Sequence, residues 1–148
     1  MKNVWLGRCN MEYVIKGNTA IIRLDKGDEI YSSVLEFAKK ENVKCGVVSG
    51  IGATDEMEVG VYDLYKEAYK RHYYFGNREI LSLTGNISVM NGEYVHLHIT
   101  TQGEESGAVG GHLFKAVVSM TAEIFVTLVD YELKREYNDE VKINTLKF

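Results

Sequence analysis

The sequence predicts an α+β fold, in which a twisted, largely antiparallel β-sheet carries one main α-helix packed on a face. Alternating apolar and polar positions, which are typical of strands, recur along most of the chain, whereas helical spacing occupies one long stretch. Most of the connections between strand-like segments are short enough for hairpins, which join antiparallel neighbours. The length of 148 residues suits one domain. We therefore expect a single domain over residues 1–148, with its core at about 11–131 and a C-terminal tail at 132–148 that the sequence defines less clearly.

The first predicted element is a β-hairpin. Residues 11–15 and 19–24 alternate apolar and polar side chains, and Gly17 and Asn18 lie between them. Glycine and asparagine are the residue types that a tight turn with positive φ requires. The two segments are therefore expected to pair as antiparallel strands.

One helix is predicted over residues 28–42. Apolar side chains recur there at helical spacing, including Ile30, Val34 and Phe37, so they would share one face. Acidic residues stand at the start of the segment and lysines at its end, which matches the charge preference of a helix dipole. We expect this face to pack against the sheet.

Strand-like segments make up most of the rest of the chain. The clearest turn among them is Asn91-Gly92, because both residue types tolerate the left-handed conformation of a short hairpin. Some of these segments are apolar on both faces, which a lone sheet would expose to water, so self-association is expected. The predicted strands cover residues 44–49, 57–62, 69–75, 80–90, 94–101 and 117–129.

Composition and charge narrow the classes of function. The formal net charge is −4 and the sequence pI is about 5.6, whereas a domain held by DNA phosphates usually has a strongly basic face. The first ten residues lack the apolar run of a signal peptide or membrane helix, so we expect a cytoplasmic protein without a membrane partner. Cys9 and Cys45 have no metal-binding or redox spacing and are expected to be reduced thiols.

A candidate metal site begins in the strand after the Asn91-Gly92 turn. His96 and His98 alternate there with Val95, Leu97 and Ile99, so a core-facing apolar row would leave both imidazoles on the opposite face. Side chains two positions apart on a strand are close enough for their rings to share one ion. The same pattern also suits two polar residues on a wet or subunit-facing surface.

His112 is the candidate third ligand. It follows a glycine-rich stretch, which is expected to be flexible and to let the backbone fold back towards the strand. Three neutral imidazoles suit zinc, nickel, copper or iron, and zinc is the favoured divalent transition metal. Glu104 and Glu105 lie between the histidines in the sequence, where they could fill an open coordination position or move protons. The fourth histidine, His72, is expected on a packed or solvated strand.

Other catalytic motifs are not supported. The glycines of residues 49–53 follow a strand but lack the third glycine and the helix of a dinucleotide-binding fold. Ser49 lacks the surrounding glycine pattern of a hydrolase nucleophile. Neither a Rossmann domain nor a serine hydrolase is therefore expected.

Five segments follow one another in a recognisable order: VVSGIGA at 47–53, EILSLTGNIS at 79–88, HLHI at 96–99, GGHL at 110–113 and TAEIFV at 121–126. In this order they resemble the plant and prokaryote conserved (PPC) domain family, and the resemblance extends over about residues 19–129. It implies a compact α+β subunit that forms a homotrimer, and it implies that His96, His98 and His112 bind a metal.

The chain departs from the plant members of this family in two places. Plant relatives carry AT-hook segments, whose proline-containing core this proline-free chain lacks. The stretch Gly76-Asn77-Arg78-Glu79-Ile80-Leu81 lacks the aromatic residue of the plant partner-contact stretch.

Three functions remain open from the sequence. The resemblance favours a DNA-binding or transcription-associated regulatory protein that acts as a trimer through DNA or a protein partner. The histidines allow a metal-dependent, zinc-type enzyme of unknown substrate, with Glu104 or Glu105 as proton carrier. The tyrosines allow a small-molecule sensor or binding module with its pocket between subunits, for which the candidates are Tyr62, Tyr65, Tyr73 and Tyr74.

Overall fold

The computed structural model describes residues 11–148, so Cys9 and the opening segment, with the predictions made for them, lie outside the described residues. The first three elements are strands β1 (Glu12–Lys16) and β2 (Thr19–Asp25) and helix α1 (Ile30–Lys40). The remaining strands are β3 (Gly46–Asp63), β4 (Ala68–Val89), β5 (Glu93–Gly103), β6 (Ala108–Leu128), β7 (Lys134–Asn138) and β8 (Ile143–Lys147).

All eight strands belong to one sheet, and the predicted fold class is confirmed. The strand order is β1-β2-β6-β3-β4-β7-β8, and β5 pairs with both β4 and β6. Strands β3, β4, β5 and β6 therefore close a circuit of antiparallel ladders. Strand β7 pairs with the end of β4 through a single parallel residue pair, Val89 with Lys134.

The predicted first hairpin and the predicted helix are both present. Lys16 pairs with Thr19 across a two-residue turn in which Gly17 has a φ of 57°. The helix is shorter than predicted, because Glu29 is its N-cap and accepts hydrogen bonds from the backbone N–H groups of Tyr31 and Ser32. Its apolar stripe is fully buried against the sheet at Ile30, Val34, Phe37 and Ala38.

Strand boundaries differ from the prediction in one consistent way. Segments predicted separately at 44–49 and 57–62 form the single strand β3, and those at 69–75 and 80–90 join in β4. The ladders of β3 contain register shifts between Gly50 and Gly52 and between Thr54 and Glu56. Each bulge inserts a residue and breaks the alternation of side chains, so a continuous strand resembles two short ones in the sequence.

The C-terminal tail forms a hairpin that the sequence did not predict. Strands β7 and β8 pair antiparallel from Lys134 with Lys147 to Asn138 with Ile143. Leu133 and Arg135 at its start are buried. The hairpin therefore extends the sheet, and its residue Arg135 lies beside the histidines.

Some large apolar side chains remain on the outer face of the sheet, as expected from strands that are apolar on both faces. Ile51 is 56% exposed, Leu81 is 52% exposed and Met120 is 67% exposed. These three side chains line one shallow groove. Within residues 11–148, no helix is both long enough and apolar enough to cross a membrane.

Candidate metal centre

The first two histidines lie side by side on β5. Val95, Leu97 and Ile99 are almost fully buried in the core, so the alternation of the strand directs His96 and His98 to the opposite face. His98 is exposed, whereas His96 is partly buried. The predicted core-facing row of this strand is confirmed.

The third histidine comes from the neighbouring strand. His112 lies on β6, directly opposite His98 in the ladder between β5 and β6. The expected flexible glycine approach is wrong, because Gly110 and Gly111 are part of β6 and the chain reverses in the loop 104–107. A Cβ on Gly111 would lie 2.6 Å from the carbonyl oxygen of Gly60. Glycine is therefore needed there for close strand packing.

The three imidazoles form one compact group. Nε2 of His96 lies 3.2 Å from Nε2 of His98, close to the ~3.3 Å that separates two nitrogens on a tetrahedral zinc ion with bonds of ~2.0–2.1 Å. The ring of His112 has its centroid 5.0 Å from that of His96 and 5.6 Å from that of His98. One nitrogen from each residue lies within 4.8 Å of the others. A small inward movement of His112 would complete a three-nitrogen site.

The nitrogen atoms of His112 are suited to metal binding. Its Nδ1 is buried and has no hydrogen-bond partner among the described residues, and such an orphaned atom is a common sign of a missing ion or water. The pKa of His112 is lowered from 6.5 to about 4, chiefly by burial and then by His96, His98 and Arg71. The imidazole is therefore neutral near pH 7, as a metal ligand must be.

His96 is also neutral but has an unusual partner. Its pKa is lowered from 6.5 to about 4, chiefly by burial and then by the nearby Arg135 cation and by His98. Nη2 of Arg135 lies 3.3 Å from Nδ1 of His96, and arginine can only donate. Metal-binding histidines usually donate this N–H to an acceptor. Arg135 therefore occupies the position where such an acceptor would normally lie.

Arg135 is fixed by neutral acceptors. Its Nε donates to Oγ of Ser88 at 2.8 Å, Nη1 donates to the carbonyl oxygen of Asn144 at 3.1 Å, and Nη2 donates to Oδ1 of Asn86 at 2.8 Å. The guanidinium carbon also lies 5.1 Å from the ring centroid of Tyr94. The side chain is rigidly positioned beside the histidines.

An aromatic cavity opens beside His96 and His112. Tyr69 stacks on His112 with ring centroids 4.8 Å apart, and Phe114 meets the same imidazole edge-on at 4.9 Å. The cavity has a volume of about 430 Å³. Residues from β3, β4, β5, β6 and the C-terminal hairpin surround it, including Tyr62, Glu67, Tyr69, Tyr94, Phe114, Arg135, Tyr137, Lys142 and Asn144.

Of the four tyrosines predicted for a small-molecule pocket, only Tyr62 lines this cavity. Tyr65 is completely exposed, Tyr73 is 60% exposed, and Tyr74 packs against the hydrophobic core. Tyr69, Tyr94 and Tyr137 line the cavity instead. The predicted pocket lies between subunits, whereas this cavity lies within one chain, so the assignment of the four tyrosines stays a prediction.

The two predicted proton carriers lie away from the histidines. Glu104 and Glu105 are exposed in the loop between β5 and β6, and at ~3.3 Å per residue along the strand this loop begins roughly 20 Å from His98. The loop is held by Arg78, whose guanidinium donates to Oγ of Ser106 and to the carbonyl oxygen of Gly107. Within one chain these carboxylates do not reach the three imidazoles.

The fourth histidine lies on a different part of the sheet. His72 is on β4, opposite Val59 of β3, and is partly buried. It is not a member of the three-histidine group. This position agrees with the predicted role of His72 as a strand residue.

Comparisons with known proteins agree with this architecture. A "putative DNA-binding protein" from Bacteroides thetaiotaomicron is 32% identical, with 93% of this chain and 97% of that chain covered and a TM-score of 0.90. A "metal-containing protein" from Archaeoglobus fulgidus is 28% identical, with 93% and 98% covered and a TM-score of 0.82. A plant- and prokaryote-conserved (PPC) protein from Pyrococcus horikoshii is 30% identical, with 87% and 89% covered and a TM-score of 0.77.

The comparison with curated proteins gives no significant match. The family model of the Plants and Prokaryotes Conserved (PCC) domain, in contrast, matches residues 11–130. This match contains β1 to β6 and all three clustered histidines. It therefore confirms the resemblance inferred from the ordered sequence segments, and the chain belongs to the PCC domain family.

Proposed function

We propose that this chain is a metal-binding protein that holds one divalent transition metal ion on His96, His98 and His112. The observation that carries the proposal is the convergence of the three rings, whose ligand nitrogens lie within 4.8 Å of one another. Three imidazoles and no thiolate favour zinc among the available metals. Three protein ligands would also leave one coordination position for water or a small ligand.

The surroundings favour ligand binding over hydrolysis. A bound zinc ion would supply Lewis acidity and lower the pKa of a water molecule. Among the described residues that line the adjacent cavity, Glu67 is the one carboxylate, and it is exposed at the tip between β3 and β4. The chain thus offers aromatic walls and the Arg135 cation at this site in place of a proton carrier next to the histidines.

The metal proposal is tested by elemental analysis of tag-free protein. We expect about one metal ion per chain in the wild type and loss of that metal in His98→Ala and His112→Ala. The matched control is His72→Ala, which removes an imidazole outside the group and should leave the metal content unchanged. Wild-type protein that cannot bind stoichiometric zinc after chelation and reloading would contradict the proposal.

A DNA-associated regulatory role is the second candidate. It is favoured by the names of two similar solved proteins, those from Bacteroides thetaiotaomicron and Ralstonia eutropha, each described as a "putative DNA-binding protein". The net charge of −4 argues for weak direct contact or for a protein partner. Fluorescence anisotropy with labelled duplex DNA should detect affinity that falls steeply with salt. Absence of binding at low salt would remove direct DNA recognition.

The homotrimer implied by the resemblance is part of the same proposal. The exposed apolar groove lined by Ile51, Leu81 and Met120 supports contact with a second copy, because large apolar patches are rarely left in water. Such an assembly would act in the cytoplasm, as predicted from the sequence. Binding of the trimer to DNA or to a protein partner is likewise a prediction from the resemblance.

A further inference from the structure

The first step of the inference is an unbalanced charge. Arg135 is a buried cation, with 9% of its surface exposed. Its hydrogen-bond acceptors are the neutral groups of Ser88, Asn86 and Asn144, and none of the ion pairs among residues 11–148 includes it. Nδ1 of His96 could accept from Nη2 only while Nε2 carries the imidazole proton, and Nε2 would lose that proton on binding a metal ion. Buried charges are costly unless they are paired. Arg135 therefore lacks a direct anionic partner, and the one carboxylate that lines the adjacent cavity, Glu67, is exposed at the tip between β3 and β4.

A metal ion on the histidines would increase this imbalance. The three imidazoles are neutral ligands, so a divalent ion would keep its full formal charge. Nη2 of Arg135 lies 3.3 Å from Nδ1 of His96, which brings the guanidinium to the ring that would hold the ion. The guanidinium lies on the Nδ1 side of this ring and the ion would lie beyond Nε2, so two cations on either side of one imidazole would repel each other in a partly buried site. An anion that contacts both would remove the repulsion.

The cavity beside these groups has room for an organic ligand. Its volume of about 430 Å³ lies within the range of about 300–1,000 Å³ that is usual for small-molecule sites. Aromatic rings dominate its walls. Its polar groups come from His96, His112 and Arg135 near the three-histidine group, and from Glu67, Lys142 and Asn144. Two hairpins that line the cavity, β3–β4 and β7–β8, contact each other, since Oη of Tyr62 donates to the carbonyl oxygen of Lys142 at 3.4 Å. A flat, partly apolar ligand would fit these walls.

We propose that the cavity binds a small aromatic carboxylate, with the carboxylate group between the metal ion and Arg135 and the ring against the tyrosines. This inference rests on the proposed metal function. Three of the five N–H groups of Arg135 donate to Ser88, Asn86 and Asn144, and a fourth faces Nδ1 of His96. One N–H of Nη1 remains for a charge-assisted hydrogen bond to a carboxylate. The aromatic walls would contact a ring on the ligand, a contact that an inorganic anion could not make.

If the proposal is right, the metal ion and the carboxylate bind cooperatively. Binding of the carboxylate offsets the repulsion between Arg135 and the metal ion, so each ligand raises the affinity for the other by the same factor. Arg135→Gln removes the repulsion together with the anion contact. Without any carboxylate, this variant should therefore bind the metal at least as tightly as the wild type does, and it should lose the increase that the carboxylate gives to the wild type.

The experiment uses the full chain loaded with Co²⁺, whose visible spectrum reports its coordination. Benzoate is the probe, benzamide is its uncharged counterpart, and inorganic phosphate is an anion without a ring. We expect benzoate to change the spectrum in a saturable way, benzamide to have no effect and phosphate to bind at least about tenfold more weakly. Equal effects of benzoate and phosphate would overturn the assignment of an aromatic carboxylate.

Variants test the part played by the arginine. Arg135→Gln should weaken benzoate binding at least about tenfold, whereas Lys134→Gln, the same charge change on an exposed neighbour, should have little effect. Arg135→Lys keeps the charge if the glutamine variant does not fold, and it should give an intermediate affinity. Protein that takes up no cobalt overturns both proposals. Cobalt-loaded protein whose spectrum benzoate leaves unchanged overturns this one alone.

Discussion

His98 and His112 lie directly opposite each other in the ladder between β5 and β6. The turn between β5 and β6 separates the two residues in the sequence, but the register of these two strands places them side by side. His96 joins the pair because it lies two positions along β5 on the same face. The three-histidine group is thus fixed by backbone hydrogen bonds, so the proposed ligands are largely positioned before any ion binds. Metal binding should therefore stabilise the folded chain without reorganising it.

The first prediction concerns this stabilisation. Zinc at about 100 times its dissociation constant should raise the free energy of unfolding by about 2.7 kcal/mol. His98→Ala should remove this gain, but it should change the stability of the metal-free protein by no more than about 0.5 kcal/mol, because His98 is exposed. Denaturant unfolding with zinc and with chelator measures both effects. An equal zinc effect in the variant would contradict the assignment of His98 as a ligand.

The second prediction concerns pH in the metal-free protein. His96 and His112 have pKa values lowered from 6.5 to about 4, chiefly by burial. Below about pH 6.5 the unfolded chain therefore binds protons at these residues while the folded chain does not. The free energy of unfolding should fall as the pH decreases from about 6.5 towards 4, and this dependence should be weaker in a His96→Gln, His112→Gln double variant.

The measurement is urea unfolding with chelator at neutral pH and at about pH 5, together with an NMR titration of the imidazole signals. His72→Gln is the control, because that side chain lies outside the three-histidine group. Titration of His96 and His112 close to 6.5 in the folded protein would show that the two rings are better hydrated than their burial implies.

The parts of this arrangement that the sequence predicts are the local ones. The alternation around His96 and the helical stripe around Val34 each depend on a few neighbouring residues, and both are present. The position of Arg135 depends on the pairing of β7 with β4 through one residue pair. No pattern of neighbouring residues in the sequence indicates this long-range contact. The loop containing Glu104 was predicted near the histidines because the hairpin register was unknown. Long-range placement is therefore what the sequence could not supply.

The third prediction concerns self-association. A charge at Leu81 or Met120, which line the exposed apolar groove, should disrupt an interface that buries this groove, because an unpaired buried charge is strongly unfavourable. We expect Leu81→Lys and Met120→Lys to shift a wild-type trimer towards monomer in sedimentation experiments. Leu64→Lys is the control, since Leu64 is 74% exposed but lies outside the groove. A monomeric wild type would remove the trimer from the proposal.

The fourth prediction concerns the start of α1. The carboxylate of Glu29 accepts hydrogen bonds from the backbone N–H groups of Tyr31 and Ser32, and also from that of Ala116 on β6. Glu29→Ala should therefore lower the free energy of unfolding by about 1–2 kcal/mol. Glu29→Gln keeps an acceptor and should cost less, and Glu36→Ala on the exposed face should be nearly neutral. Equal midpoints for Glu29→Ala and Glu36→Ala in denaturant unfolding would contradict this role.

The fifth prediction links strand packing to the metal centre. A Cβ on Gly85 would lie 1.9 Å from the carbonyl oxygen of His96 and 2.9 Å from Cα of Leu97. Backbone atoms in a paired ladder cannot move aside cheaply, so Gly85→Ala should cost at least about 3 kcal/mol, the upper end of ordinary overpacking. It should also displace His96 and weaken zinc binding. Gly107→Ala is the matched control, because a Cβ there meets nothing within 4 Å. A Gly85→Ala protein with normal stability and full zinc content would contradict this prediction. It would show that β5 can shift along β4 without disturbing the three imidazoles, so that the site depends less on strand packing than its geometry implies.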